Sequence, residues 1–132
     1  MQIRDRQPKG LSRMTVATRI SSQLSEKEWQ QVVTETATWY GWTYYHSRPA
    51  IMKSGKWATA LEGLAGFPDL VLVHETRGLL FAELKSQKGR LSHKQQRWID
   101  LLRLAGSEVY VWRPSDFGEV KLRLQNRSLT QH

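Results

Sequence analysis

The chain contains no cysteine, which excludes disulfides and thiolate metal sites. Histidine is scarce too: only His46, His74, His93 and His132 are present, and their spacing fits no zinc pattern. Any metal is therefore expected on oxygen ligands, as a hard cation. No apolar run approaches the roughly 20 residues needed to span a bilayer, and the N-terminus lacks the apolar segment of a signal peptide. A soluble, intracellular, cytoplasmic protein is expected. Acidic residues are in deficit, twelve against twenty Lys and Arg, leaving a net charge of +8 over 132 residues. That excess suits a polyanionic partner, with nucleic acid first and an anionic membrane surface second. The length suits one domain with a real core.

Residues 1–24 carry Pro8, Gly10 and scattered Ser and Thr without a sustained period, and read as a basic, loosely ordered arm. Arg4, Arg6, Lys9, Arg13 and Arg19 against Asp5 supply half of the net charge, which fits phosphate contacts and equally a solvated tail. The stretch SEKEWQQVVTETATWYG predicts a helix: Ser25 as N-cap, Glu28 three residues on as its capping-box partner, and Gly41 as the stop. Trp29, Val32, Val33, Thr36, Trp39 and Tyr40 mark its buried face. WTYYH, residues 42–46, reads as a strand. Residues 47–66 form a long connection with Arg48, Lys53 and Lys56 around Trp57, a combination suited to stacking and phosphate pairing or to a flexible link. Further on, Ser92 can cap a helix with Trp98, Leu101, Leu102 and Ala105 on its buried face, ended by Gly106. EVYVWR is a strand broken by Pro114. SDFGEVKLRL predicts a short last helix, weakened by Gly118, and residues 126–132 a polar tail.

The chemistry concentrates in AGFPDLVLVHETRGLLFAELKSQ, residues 65–87. Two apolar runs separated by ETRG predict a hairpin. Centring its turn between Thr76 and Arg77 brings Asp69 opposite position 84, beside Glu83 and Lys85, which share one strand face. Paired carboxylates repel and raise each other's pKa unless a cation intervenes, and a divalent metal relieves the clash. Charges at strand ends also protect edges, and Glu83 with Lys85 alone is equally an ordinary solvated pair. Pro-Asp at hairpin distance makes the combination more specific. Phosphodiester cleavage needs an activated water, stabilised charge at phosphorus and help for the leaving oxygen, all within reach of a carboxylate-held Mg²⁺ or Mn²⁺. Asp69 and Glu83 are the expected ligands, joined by the Leu84 backbone carbonyl. Lys85 is expected to orient or deprotonate water and to offset developing charge.

FPD followed by AELK resembles the PD-(D/E)XK nuclease superfamily. More closely, GFPDLVLV, GLLFAELKSQKGRLSHKQQRWIDLLRLAGSEVYVWRP and the upstream SEKEWQQVV are similar to the VRR-NUC domain family, over about residues 25–120 of a domain expected at 25–125. The resemblance implies an α/β, restriction-endonuclease-like core: helix, three strands, helix and strand, with a mixed central sheet flanked by helices. It implies a metal-dependent DNA endonuclease, often structure-selective, and for small standalone members a homodimer acting on branched, flap or four-way junction DNA in repair, recombination or replication. Asp69 and Glu83 match the metal-binding carboxylates, and Lys85 the catalytic lysine. Glu28 matches best the glutamate of the first helix, which binds metal directly or through water, with Glu26 as the rival assignment. Gln95 matches a glutamine near the active centre. His93 and Lys94 stand where the family usually has Pro-Glu, making that end more basic.

Lys88 and Arg90 flank the proposed site and are candidates for phosphate contacts, alongside Lys53, Lys56 and Trp57; a solvated loop accounts for Lys88 and Arg90 equally well. A catalytically silent DNA-binding module on the same fold is the alternative, disfavoured because Asp69, Glu83 and Lys85 are all in place. A basic interaction protein acting through its arm is a third possibility. The apolar residues Ile51, Trp57, Leu61 and Leu64 are the expected dimer contact.

Overall fold

The computed structural model describes residues 23–47 and 65–128. Residues 1–22 of the arm, 48–64 of the long connection and the last four residues lie outside that range, and with them Lys53, Lys56, Trp57, Ile51, Leu61 and Leu64.

Helix α1 (Glu26–Trp39) starts as its sequence dictates. Ser25 Oγ accepts from Glu28 N at 3.0 Å while Glu28 Oε1 accepts from Ser25 N at 2.8 Å, satisfying two amides that lack helical partners. Its buried residues are Trp29, Val33 and Ala37, a ridge at i, i+4 and i+8. Trp39, expected on that face, is 82% exposed; it lies about a third of a turn around the helix from the ridge.

Four strands form one sheet in the order β1 (Thr43–His46), β2 (Leu70–His74), β3 (Gly78–Leu84), β4 (Val109–Trp112). The first two pairings are antiparallel and β3–β4 is parallel, joined by α2 (His93–Leu104). This is the mixed, helix-flanked sheet of a restriction-endonuclease-like core. Trp42, expected to open β1, instead enters the core, where its indole N–H donates to Leu124 O at 2.9 Å.

The β2–β3 register is one step from expectation. Leu70 faces Ala82, Leu72 faces Leu80 and His74 faces Gly78, so the turn has three residues centred on Thr76. His74 Nδ1 accepts from both Thr76 N and Arg77 N at 3.1 Å, and Gly78 takes φ +110°, a conformation favouring glycine. An odd turn carries the pairing on to Asp69 opposite Glu83 rather than Leu84. Directly opposed residues share a face.

One sheet face presents Leu70, Leu72, Leu80, Ala82 and Leu84 to α1 and to α3 (Phe117–Gln125). Trp29 anchors this layer, with its indole N–H donating to Trp112 O at 2.9 Å. The last helix is in two pieces, a 3-10 turn at Pro114–Asp116 and then α3, which buries Val120 and Leu124 and tolerates Gly118. Arg123 is buried in an ion pair with Glu108 and also donates to Arg77 O at 2.9 Å. The other sheet face bears the odd-numbered residues of β2 and β3. Phe67 packs edge-on against Phe81 and Trp98 there, linking β2 and β3 to α2. Ile99 is the buried residue of α2, whereas Leu101 and Ala105, expected on its inner face, are exposed. Rotation of α2 turns Gln95 inward with Ile99, a placement that counting apolar residues alone misses. No helix among the described residues is long and apolar enough to cross a membrane.

Candidate active site

Three elements converge on one patch of the second face. The end of β3 supplies Glu83 and Lys85, the lead into β2 supplies Asp69, and the first turn of α2 supplies Gln95. Each is fixed by a local cause. Asp69 Oδ2 accepts from Leu84 N at 2.8 Å, so the β2 carboxylate is tied to the backbone of the opposing strand. Gly66 adopts φ +86°, and a Cβ there would stand 2.6 Å from the Lys94 carbonyl carbon and 2.8 Å from Gln95 N. Only glycine lets the chain before Pro68-Asp69 lie against the start of α2.

Gln95 has two tasks. As the capping-box partner of Ser92 its Oε1 accepts from Ser92 N at 2.8 Å, and its Nε2 donates to Glu83 Oε2 at 2.9 Å. Lys85 Nζ stands 3.9 Å from the same oxygen. Glu83 is 1% exposed, and its Oε1 is buried with no hydrogen-bond partner. An unpaired buried carboxylate oxygen is costly unless something positive meets it.

The electrostatics agree. Burial first, then repulsion from Asp69, pushes the Glu83 carboxyl up to about 8, against which Lys85 pulls only in part. Asp69 is raised as well, by burial and by the Glu26 carboxylate, while the Leu84 amide and Lys85 hold it down. The Glu26 carboxylate adds a smaller upward push to both groups. Glu28 does not join the patch: its side chain is exposed and spent on the Ser25 cap, whose two hydrogen bonds hold it below the ordinary carboxylate range.

The groups able to hold a cation are thus Asp69, Glu83 through its unpaired oxygen, and the Leu84 carbonyl next along the strand. Among the described residues no three His, Cys, Asp or Glu side chains stand close enough together to hold a metal ion, so the carboxylates here are the pair Asp69 and Glu83. Of the residues named from sequence, Asp69, Glu83, Leu84, Lys85 and Gln95 come together. Lys88 and Arg90 are exposed just beyond Lys85. Sequence reasoning missed Arg113, which braces the chain after Lys85; a lone arginine before a proline gives no signal of it.

The family model described as VRR-NUC domain matches residues 44–116, more than half of the chain and all four strands but for one residue of β1. No curated protein and no solved structure matches it.

Proposed function

Since the chain belongs to the VRR-NUC domain family, whose nuclease-type function makes DNA the substrate, we propose that it is a Mg²⁺- or Mn²⁺-dependent DNA endonuclease centred on Asp69, Glu83 and Lys85. The observation that carries this reading is Glu83: a carboxylate buried to 1% exposure, with one oxygen unpaired and a second carboxylate opposite it. Such a group is badly placed as a bare anion and well placed as a ligand.

Asp69 and Glu83 would hold the ion, with the Leu84 carbonyl beside them. When bound, a divalent cation supplies Lewis-acid polarisation of the phosphate and lowers the pKa of bound water. The protein's own groups do the positioning. Gln95 occupies Glu83 Oε2 and so leaves Oε1 for the ion. Lys85 is held beside Glu83, where its ammonium orients the attacking water and offsets negative charge at phosphorus. The same reading extends to a homodimer selective for branched, flap or four-way junction DNA, acting in repair, recombination or replication.

The test is incubation of the full chain with labelled linear, flapped and four-way DNA in Mg²⁺, Mn²⁺ or EDTA, with Glu83→Gln alongside. Cleavage restricted to the metal arms and lost in the variant is expected. Binding without cleavage in every metal arm would leave a silent DNA-binding module instead.

A further inference from the structure

The five residues after Lys85, Ser86 to Arg90, are built around a side chain from another element. Arg113, directly after β4, aims Nη1 at three of their carbonyls: Ser86 O at 2.8 Å, Gln87 O at 3.3 Å and Gly89 O at 2.6 Å. A second tether comes from Ser115, whose N–H donates to Gln87 Oε1 and whose Oγ accepts from Gln87 Nε2, both at 2.9 Å. Gly89 N closes the turn on Ser86 O at 3.2 Å. The turn is also tight: a Cβ on Gly89 would meet Ser86 Oγ at 2.9 Å and the Lys85 Cδ at 3.5 Å. One end of the loop therefore lies on the stem of Lys85, and the other runs through Leu91 and Ser92 into Gln95, the partner of Glu83.

Fixing the carbonyls fixes the amides. In a planar trans peptide the N–H of the following residue points opposite to the C=O. With the carbonyls of Ser86, Gln87 and Gly89 turned to the guanidinium, the N–H groups of Gln87, Lys88 and Arg90 turn to the other side, and no described residue accepts from them. The Lys88 and Arg90 side chains are exposed. Outward amides with two cations on a braced turn make an anion-binding surface, and bracing removes the ordering cost that a loose loop would pay on binding.

We propose that loop 86–90 is a preorganised platform for the phosphodiester backbone flanking the scissile bond, contacted by Lys88, Arg90 and the outward amides, with Arg113 as a positioning residue. The choice of DNA as the polyanion rests on the nuclease reading above.

Binding of a labelled DNA duplex to the full chain is measured in EDTA as a function of salt, so the result does not depend on cleavage. The double variant Lys88→Ala/Arg90→Ala is expected to lower the log-log salt slope by about two and to weaken binding about tenfold at moderate salt. Arg113→Met, which keeps bulk but no donors, is expected to reproduce at least half of that loss. Because one nitrogen makes all three carbonyl contacts, Arg113→Lys, with three donors on its ammonium, is expected to restore most of it. Adding Arg113→Met to the double variant should cost little more, since the residues act as a unit. Titration with DNA should shift the amide resonances of Gln87, Lys88 and Arg90. A cooperatively melting Arg113→Met with wild-type slope and affinity overturns the proposal, as do unmoved amide resonances. If Arg113→Met fails to melt cooperatively, the double variant decides, because its two side chains make none of the loop's bracing bonds; a wild-type slope there is equally fatal. A wild-type chain that does not bind DNA overturns both readings. Binding in EDTA with no cleavage in Mg²⁺ overturns only the hydrolytic one.

Discussion

Gln95 and Glu83 share one hydrogen bond, Nε2 to Oε2 at 2.9 Å, and its direction is set from outside the pair. The Gln95 carbonyl oxygen is already engaged by Ser92 N in the helix cap, so only its NH₂ can face the carboxylate. The cap that starts α2 thereby chooses which Glu83 oxygen is bonded and which is left over.

Gln95→Glu separates these two tasks. Glutamate can still accept from Ser92 N and keep α2 capped, but it brings an acceptor where Glu83 needs a donor. Cleavage should fall roughly 10- to 100-fold while the helical circular dichroism stays near wild type. Wild-type turnover in this variant would mean that the Gln95 bond is incidental.

Burial and Asp69 lift the Glu83 pKa from its ordinary 4.5 to about 8, which makes stability depend on pH. The folded, metal-free protein then binds more protons than the unfolded chain between those values, so its stability falls as pH rises through that window. Glu83→Gln removes the burdened charge. In EDTA it should melt above wild type at pH 8, with the gain shrinking toward pH 5. Its cleavage in Mg²⁺ should be lost, as should that of Asp69→Asn. A Glu83→Gln variant less stable than wild type at pH 8 contradicts the assignment.

Metal should act on stability as well as on rate. Mg²⁺ or Mn²⁺ at about a hundredfold excess over Kd should stabilise the wild-type fold by about 2.7 kcal/mol, read as a concentration-dependent rise in Tm by calorimetry. Asp69→Asn and Glu83→Gln should abolish the rise. Lys85→Ala should keep it and lose cleavage; if it loses the rise too, Lys85 belongs to a structural ion pair with Glu83.

The two helix carboxylates make a matched control. Glu26→Gln should weaken the metal-induced rise in Tm, because Glu26 bears on both Asp69 and Glu83. Glu28→Gln should leave it unchanged, since glutamine still completes the box with Ser25. The reverse pattern would restore Glu28 to the site.

Local rules carried much of this in the sequence. The capping box at Ser25, the cap at Ser92, the hairpin and the order of elements are written in short-range chemistry and appear as expected. The step in register was not legible, because it depends on His74 accepting two turn amides and on Gly78, a choice between turns of similar length. The inner face of α2 escaped for another reason: Gln95 is polar, and only the buried Glu83 across from it explains its inward turn. Glu26 and Glu28 sit two apart on one helix; the three-residue spacing from Ser25 marks Glu28 as the capping partner, while the family resemblance assigns the same residue to the site. Arg113 acts through backbone carbonyls more than twenty positions away, a contact with no sequence pattern.

The remaining expectation concerns the second copy. A domain with one carboxylate cluster cuts one strand at a time, so coordinated cleavage of a branched junction needs two clusters, and a twofold dimer supplies them. The described surface best suited to such contact lies on the sheet face that carries Asp69 and Glu83. Val73 and Leu79 oppose each other there and are 46% and 49% exposed, with Tyr45 on the neighbouring strand at 64%. A contiguous apolar patch of that kind is more often covered than left to water. Light scattering at micromolar concentration should give about twice the chain mass of 15.4 kDa. Val73→Lys with Leu79→Lys should halve it and remove any preference for four-way over linear DNA, while the cluster still cuts nicked or single-stranded substrates. A wild-type chain that is strictly monomeric and equally active on linear and four-way DNA would rule out junction resolution and leave a simpler nuclease.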